Sequence, residues 1–263
     1  MPANLLTPRR RAAALRPGRR ARLTRLRYRL PDGAMTTLHV ASYPGDLYVP
    51  RVVVLERPQQ LAGWCRKQGV RHAVVGGFFA RPQYTPIGAV RIGGREWPSV
   101  PFDAPWNETR ACVQITDGVV RLDRRDALSP AGGDLLQAGP LLVRRGQRVV
   151  EDGVDAEGFA AGAHQFDSDI TAGRYPRAAL GLTADRLLAV ACDGRTARDA
   201  GMTLAELADA LIELGARDAI NLDGGGSASL VHHGRLRNRP REEHGADLLG
   251  GRPIVTAIAF DPR

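Results

Sequence analysis

Short apolar runs separated by Gly, Pro and Asp-Gly make up most of the chain after residue 27. Runs of this kind are typical of β-strands that are joined by tight turns. Asp117-Gly118 and Arg145-Gly146 each stand between two such runs, where glycine supplies the positive φ that a hairpin turn needs. The pattern therefore predicts several β-hairpins. The candidate strands are residues 38–42, 52–55, 73–75, 87–92, 111–115, 119–122, 141–143, 148–150, 178–182, 186–191, 219–222, 229–232, 235–237 and 254–260.

Two segments have a helical pattern instead. Residues 204–214 carry apolar side chains at helical spacing, and Thr203 and Glu206 form a capping box at the start. Residues 58–68 begin with a proline, which is favoured in the first helical turn. A glycine follows each segment at the position where helices commonly end. We therefore predict two α-helices.

Each predicted helix leads into a short apolar strand, and each strand runs into glycines. The first strand ends in Gly76-Gly77-Phe78-Phe79 and the second in Asp223-Gly224-Gly225-Gly226-Ser227. This repeated unit predicts that two strand ends, far apart in sequence, meet at one place. The expected fold is α+β: a single domain over residues 28–263, with a mixed, mainly antiparallel sheet and flanking helices.

The positive charge of the chain is concentrated at its N-terminus. The net charge is +9, but residues 1–27 carry nine arginines and no acidic residue, so the remainder is formally neutral. A basic arm can contact phosphates or an anionic membrane. A solvated, flexible arm is the alternative that the composition favours. We therefore expect residues 1–27 to form a basic flexible arm and predict no specific binding of nucleic acid.

Composition excludes several other classes of protein. No apolar run approaches the roughly 18 residues of a membrane span, and no apolar stretch follows the basic N-terminus as in a secretory signal. The expected location of the chain as it stands is therefore cytoplasmic. The three cysteines are widely spaced, without a Cys-x-x-Cys pair, and Cys112 and Cys192 lie in apolar runs. We expect both to be buried in strands.

No cofactor is expected, and a divalent metal is the alternative. His164, Asp167 and Asp169 form a loop cluster that could hold a metal ion. Their spacing matches no standard set of ligands, so an ordinary polar loop is the favoured interpretation.

The segment from Asn221 to Ser227 is the sharpest chemical signal in the chain. Three consecutive glycines do not stabilise a strand, but they allow a close backbone approach or expose several N–H groups in an anion-binding concavity. Asp223, at the strand end, could protonate a leaving group, attack a carbon or hold a metal ion. The alternative is a tight turn that Asp223 caps.

Two other motifs do not fit this segment. A nucleotide P-loop would end in Gly-Lys-Ser/Thr and lead into a helix, whereas Ser227 leads into a strand. A nucleophile elbow would read Gly-x-Ser-x-Gly, which is absent. Ser227 could act as a nucleophile only if folding brought His232 or His233 to it as a base.

Four segments together resemble the phosphodiester glycosidase family. Asn221 to Ser229 is similar to that family's signature, and Gly76-Gly77-Phe78-Phe79 to its Asn-Gly-Gly-Phe-Phe motif. Residues 137–142 (Gln-Ala-Gly-Pro-Leu-Leu) resemble its Gly-Pro-Leu segment, and residues 175–181 resemble its Pro-Arg-Thr-Ala-Ile-Gly segment. Order and spacing agree over about residues 70–260. Two departures are Val75, where the family usually has Asn, and Ala178, where it usually has Thr.

The resemblance implies hydrolysis of a sugar-1-phosphodiester, between the anomeric carbon and the phosphate oxygen, in cell-envelope or exopolysaccharide metabolism. The partner would be a small-molecule or glycan phosphodiester. Such a site needs a cation for the phosphate, and the guanidinium fork of Arg177 is our candidate. It also needs a carboxylate, usually one of a pair. We predict Asp223 and Asp193 for these positions, with Asp103 and Glu108 in reserve.

The remaining predicted site residues would contact the substrate. Of the two phenylalanines in the first glycine segment, one is expected in the core and one could stack on a sugar ring. The predicted substrate-binding residues are Gly76, Gly77, Phe78, Phe79, Gly139, Asn221, Gly224, Gly225, Gly226 and Ser227.

Two rival functions remain open at this point. One is a metal-dependent phosphodiesterase that cuts the P–O bond, with Asp223 and Asp193 as ligands. The other is a non-catalytic glycan- or nucleic-acid-binding protein on the same scaffold, which Val75 at the usual Asn position keeps in view.

Overall fold

The structure, a computed structural model, describes residues 20–130, 132–159, 170–171 and 173–263. In this part of the chain the strands form three large antiparallel sheets and a short separate hairpin. Strand residues make up 44% and helical residues 13%, so the fold contains more β-structure than the predicted α+β mixture. The expectation of mainly antiparallel pairing is confirmed.

The largest sheet carries the strand ends at which the candidate site lies. Its seven strands in sheet order are β1 (Arg22–Arg29), β2 (Met35–Pro44), β15 (Arg186–Cys192), β14 (Arg177–Leu182), β16 (Asp218–Asn221), β12 (Leu141–Arg144) and β13 (Gln147–Arg148). β14 runs antiparallel to both of its neighbours, β15 and β16. The start of β14 and the ends of β15 and β16 therefore lie side by side at one edge of the sheet.

The other two sheets have five strands each. One is ordered β10 (Val119–Arg124), β9 (Ala111–Thr116), β11 (Asp134–Gln137), β7 (Val90–Ile92) and β8 (Arg95–Trp97). The other is ordered β18 (Arg235–Leu236), β17 (Leu230–His232), β4 (His72–Val75), β19 (Ile254–Pro262) and β3 (Tyr48–Gln59). The separate hairpin joins β5 (Phe79–Ala80) to β6 (Thr85–Pro86).

The helices are α1 (Leu61–Gln68), α2 (Trp106–Thr109) and α3 (Leu204–Glu213). Both predicted helices exist, and the capping box of Thr203 with Glu206 is formed as expected. The predicted start of the first helix at Pro58 is wrong, because β3 continues through Gln59, which pairs with Ile254. Its predicted end is confirmed: Gly69 closes the helix with a φ of 67°.

One buried cluster takes side chains from all three large sheets, for example Leu180, Ile115 and Ile258. A second cluster lies where α3 packs on the seven-stranded sheet, with Leu207 and Leu211 among its members. Sheets that share one core in this way have the organisation of a single domain.

The predicted boundary of the basic arm at Arg27 falls inside β1. This strand pairs with β2 from Arg22 to Arg29, and its Leu26 and Tyr28 side chains are buried. Pairing with β2 and burial of every second side chain hold this part of the predicted arm on the sheet. The rest of the arm, residues 1–19, lies outside the described residues.

Two further expectations concern membranes and cysteines. No helix in the described part of the chain is long and apolar enough to cross a membrane. Cys112 and Cys192 are buried in β9 and β15, as predicted, and both are free thiols.

Candidate functional site

The two glycine-containing strand ends meet, as the repeated pattern predicted. The Asp223 N–H donates to the Gly76 carbonyl at 3.0 Å, directly after β16 and β4 respectively. Next to this contact, the Val75 N–H donates to the Ser229 carbonyl at 2.9 Å. Because β4 lies between β17 and β19, its C-terminal end is brought to the chain reversal at residues 223–229.

Gly76 and Gly77 lack side chains because other backbone passes close to them. A Cβ on Gly76 would lie 2.5 Å from Thr256 Oγ1, and a Cβ on Gly77 would lie 2.9 Å from the Gln137 carbonyl oxygen. The Gly76 N–H is also engaged, since it donates to the Thr256 carbonyl at 2.9 Å. Their glycine identity is therefore explained by packing, and their predicted contact with substrate stays a prediction.

Asp223 is a partly exposed carboxylate at this junction. Removal from water raises its pKa to about 6. Opposing groups limit the rise, first the Ser227 hydroxyl, then the charge of Arg252, then the Gly224 N–H, which donates to Asp223 Oδ1 at 2.9 Å. A carboxyl group with such a pKa exists in both protonation states near neutral pH, which suits acid–base or nucleophilic work.

The triple glycine forms a tight turn whose amides are partly engaged within the fold. Gly225 has a φ of 57°, and residues 225–227 form a 3₁₀ turn. The Gly225 N–H donates to the Pro176 carbonyl at 2.8 Å, and the Ser227 N–H donates to the Gly224 carbonyl at 3.0 Å. With the Gly224 N–H on Asp223, three amides are held within the turn and its surroundings. The amides of Gly224 and Gly225 are thus engaged within the fold, and the predicted contact of Gly224 to Gly226 with a phosphate stays a prediction.

Arginine side chains surround the turn instead. Arg252 forms an ion pair with Glu242, and its charge acts on Asp223. The charge of Arg81 acts on both carboxyl groups, and Arg195 lies beside Gly225, where a Cβ would be 3.5 Å from the guanidinium. No pattern in the sequence indicated these three arginines. Arg195 directly follows the Asp193-Gly194 motif, which is the one local signal that could have identified it.

Arg177 does not present its guanidinium as a phosphate fork. The side chain is 3% exposed and donates to the carbonyls of Met202 at 3.0 Å, Ile170 at 2.9 Å and Gly173 at 3.2 Å. Burial lowers its pKa to about 10. A guanidinium that is buried against three carbonyls holds chain segments together. The predicted role in phosphate binding is therefore not supported by its position.

Asp193 lies at the same edge of the sheet, but its carboxylate is enclosed. It is 2% exposed, its Oδ2 lies 3.1 Å from His39 Nε2, and its Oδ1 accepts from the Arg239 N–H at 2.7 Å. Both oxygens thus have partners inside the fold. This arrangement supports a structural role for Asp193 and not the predicted second catalytic carboxylate.

Asn221 connects the strand end to the predicted Gly-Pro-Leu segment. Its side-chain amide donates to the Gly139 carbonyl at 2.9 Å, and the Gly139 N–H donates to the Asn221 carbonyl at 3.0 Å. Gly139 has a φ of 114°, which only glycine adopts readily. Within the described residues, the buried atoms Asn221 Oδ1 and Ser229 Oγ make no hydrogen bond. A ligand that supplies donors or acceptors to them is one explanation for unpaired polar atoms in this segment.

The two adjacent phenylalanines divide as predicted. Phe78 is buried against Phe159, with ring centroids 5.6 Å apart. Phe79 is partly exposed and stacks on Tyr84 at 5.5 Å. The β5–β6 hairpin that carries Phe79 and Tyr84 also carries Arg81, whose charge acts on Asp223. Phe79 therefore lies in a hairpin near the rim of the candidate site, and its predicted contact with a sugar ring stays a prediction.

The remaining alternatives receive no support from the geometry. Asp103 and Glu108 are exposed near α2. Ser227 as a nucleophile would need His232, but that imidazole is buried with its Nδ1 3.2 Å from His72 Nδ1. In the described residues no group of three or more His, Cys, Asp or Glu side chains could hold a metal ion. The loop cluster at 164–169 lies outside those residues.

Comparison with known proteins identifies the class. A sequence model of the phosphodiester glycosidase family matches residues 68–261, and the chain belongs to this family. Family and fold are thus those of enzymes that hydrolyse glycosyl phosphodiesters. No match was found among curated proteins.

Solved structures share the fold. The catalytic domain of zebrafish N-acetylglucosamine-1-phosphodiester alpha-N-acetylglucosaminidase, auto-inhibited by its pro-peptide, matches with a TM-score of 0.70 and 19% identity, covering 93% of this chain and 83% of that one. A hypothetical protein from Synechocystis matches at 0.64 and 17%, covering 92% of this chain. The chain spans only 62% of that protein. A putative exported protein from Burkholderia pseudomallei matches at 0.59 and 16%, covering 89% and 75%.

Proposed function

We propose that this protein hydrolyses a sugar-1-phosphodiester at Asp223, in cell-envelope or exopolysaccharide metabolism. The observation that carries the proposal is one partly exposed carboxyl group with a pKa raised to about 6, surrounded by Arg252, Arg81 and Arg195. A singly charged phosphodiester fits a site in which cations stand beside a carboxylate.

The chemistry follows from the leaving group. A phosphate monoester is a weak base, so breaking the bond between the anomeric carbon and the phosphate oxygen needs little help from a general acid. The transition state instead carries positive charge on the sugar ring. The ionised form of Asp223 stabilises that charge or activates water, while the arginines stabilise the departing phosphate. Phe79, on the rim, offers an aromatic face to the sugar ring.

The position of bond cleavage tests this proposal. Hydrolysis in oxygen-18 water puts the label on the anomeric hydroxyl when the C–O bond breaks, and on the phosphate when the P–O bond breaks. We expect the label in the sugar, read by mass spectrometry before the anomeric oxygen exchanges with solvent. A non-enzymatic exchange control with unlabelled free sugar sets that time limit. Label in the phosphate would refute the glycosidase mechanism and favour a phosphodiesterase.

A further inference from the structure

The ion pair between Arg252 and Glu242 occupies one edge of the guanidinium. Arg252 Nε donates to Glu242 Oε1 at 3.0 Å, and Nη2 donates to Oε2 at 2.5 Å. The Arg252 N–H donates to the Gly226 carbonyl at 2.9 Å. This bidentate contact holds the arginine side-on against the loop that carries Glu242.

The other edge of the guanidinium is left for a ligand. Arginine has five N–H donors, and the Nε–Nη2 edge is the one that Glu242 uses. Within the described residues, Arg252 Nη1 makes no hydrogen bond. An anion at the site can therefore reach the Nη1–Nη2 edge while Glu242 stays in place. A phosphate bound there lies close to the Glu242 charge.

Glycine at position 226 brings the Glu242 carboxylate against the turn. A Cβ on Gly226 would lie 2.7 Å from Glu242 Oε1 and 3.3 Å from Oε2. Any larger residue would displace this carboxylate. Asp223 lies three residues before Gly226 in the same turn, and its carboxylate and that of Glu242 share two neighbouring cations. Arg252 and Arg81 act electrostatically on both of them.

The arginines and carboxylates around the turn can be compared by their number. Three cations, Arg81, Arg195 and Arg252, act on Glu242, and Asp223 supplies the second negative charge. When both carboxyl groups are ionised, these three arginines outnumber the two carboxylates by one. A phosphodiester, with one negative charge, neutralises this difference, whereas a phosphomonoester carries nearly two at pH 7. We propose that Glu242 is a specificity-determining residue that favours the singly charged diester over the doubly charged monoester.

This inference rests on the proposed function, because hydrolysis changes the charge of the phosphate. Water adds its oxygen to the anomeric carbon, the C–O bond breaks, and the bonding electrons stay on the phosphate oxygen. One water proton remains on the new sugar hydroxyl, and the other passes to solvent. A diester becomes a monoester with an additional ionisable oxygen. Glu242 then repels the product, so the same carboxylate selects the substrate and speeds product release.

Binding of two unreactive probes tests the proposal without turnover. Dimethyl phosphate represents the diester and methyl phosphate the monoester, and ³¹P NMR titrations give their dissociation constants. At pH 8, Glu242→Gln should bind methyl phosphate about ten-fold more tightly than the wild type, since one nearby negative charge is removed. Binding of dimethyl phosphate, which carries one charge, should tighten only about three-fold. Glu243→Gln is the matched control, because it removes the same charge from an exposed neighbouring residue.

The effect of Glu242→Gln on methyl phosphate binding should depend on pH, which a merely structural role of Glu242 would not produce. Near pH 5 methyl phosphate carries one charge, because its second pKa is about 6. The difference between Glu242→Gln and wild type should then shrink from about ten-fold to about three-fold. Asp223 also takes up a proton over this range in both proteins, as its pKa is about 6, so the comparison is made between proteins at each pH. Glu242→Asp, which keeps the charge, should restore discrimination at pH 8.

Two results would overturn the inference. The first is that Glu242→Gln binds both probes as Glu243→Gln does. The second is that Glu242→Gln weakens the binding of both probes equally, as expected if Glu242 only holds Arg252 in place. Should Glu242→Gln fold poorly, Glu242→Asp still decides, because loss of discrimination in a charge-retaining variant contradicts a role for charge. If the wild type discriminates between the probes but hydrolyses no sugar phosphodiester, charge selection stands and the proposed reaction fails.

Discussion

Two Asp-Gly turns flank Pro176, and they look alike in sequence. Asp193-Gly194 follows β15 and Asp223-Gly224 follows β16, each after a buried apolar strand. A Cβ on Gly194 would lie 2.7 Å from the Pro176 nitrogen, and a Cβ on Gly224 would lie 2.8 Å from the Pro176 carbonyl oxygen. Both glycines are therefore required by the same neighbour. The local reason for the two motifs is the same.

The carboxylates in these turns have opposite surroundings. Both oxygens of Asp193 are bonded, to His39 and to the Arg239 N–H, and the side chain is closed off from water. Asp223 is partly exposed and has one backbone donor, the Gly224 N–H, with cations around it. A carboxylate whose acceptor positions are filled stabilises the fold, whereas one with open positions can act on a ligand. The comparison supports a structural role for Asp193 and is the reason why we propose Asp223 for the chemistry.

Asp223→Asn should have the largest effect on activity. The amide cannot take up or release a proton and cannot attack a carbon, so we expect kcat for a glycosyl-phosphodiester to fall by about a thousand-fold or more. Binding of the substrate should be retained. A substrate panel with both proteins, together with circular dichroism to verify folding, measures this. Full activity in a folded Asp223→Asn protein would remove Asp223 from the mechanism.

Asp193→Asn should instead reduce stability. The buried Asp193 carboxylate has a hydrogen-bonding partner on each oxygen. Its replacement leaves His39 or the Arg239 N–H poorly paired, which lowers the free energy of unfolding by about 2–3 kcal/mol. The expected loss of kcat is far smaller than for Asp223→Asn. Urea unfolding gives the free energy of unfolding, and the same assay gives the activity. The original prediction of two catalytic aspartates would be restored if Asp193→Asn stayed fully stable and lost turnover.

The pH dependence of activity and stability also distinguishes Asp223 from Asp193, and it is the smallest of the expected effects. Because we propose that the ionised form of Asp223 is the working form, kcat/KM should rise with pH and level off above about 6, falling roughly ten-fold per pH unit below it. A raised pKa also means that the folded state holds this proton more tightly than the unfolded chain. Stability should therefore be lost as the pH rises from about 4 to about 6.

The matched protein for this measurement is Asp223→Asn. Its stability should lack that part of the pH dependence, whereas Asp193→Asn should keep it. An activity profile that declines through pH 6 would show that the protonated form of Asp223 works, as a general acid.

Much of the fold was predictable, because the relevant signals are local. Asp117-Gly118 forms its hairpin turn, Thr203 and Glu206 form their capping box, and the apolar runs form strands. Boundaries were less predictable. Pro58 suggested a helix start, but pairing of Gln59 with Ile254 extends β3 past it. Arg22–Arg27 looked like a flexible arm, but pairing with β2 makes it a strand.

The candidate site was predictable only in part. Asn221 to Ser227 marked the correct chain reversal, and the glycines of both strand ends pointed to their meeting. Arg177 was chosen as the phosphate cation because it stands in a recognisable segment, yet its donors face backbone carbonyls. Arg252 precedes β19 without any motif around it, and its partner Glu242 lies ten residues away in a loop.

The amino-acid sequence alone determined which residues form strands and turns and where an aspartate follows a strand. These properties depend on backbone conformations and apolar spacing within a few residues. Only the tertiary structure decided which aspartate stays open and which arginines face it. That choice depends on hydrogen-bond partners such as His39, Arg239 and Glu242, which sheet register brings together from distant parts of the chain.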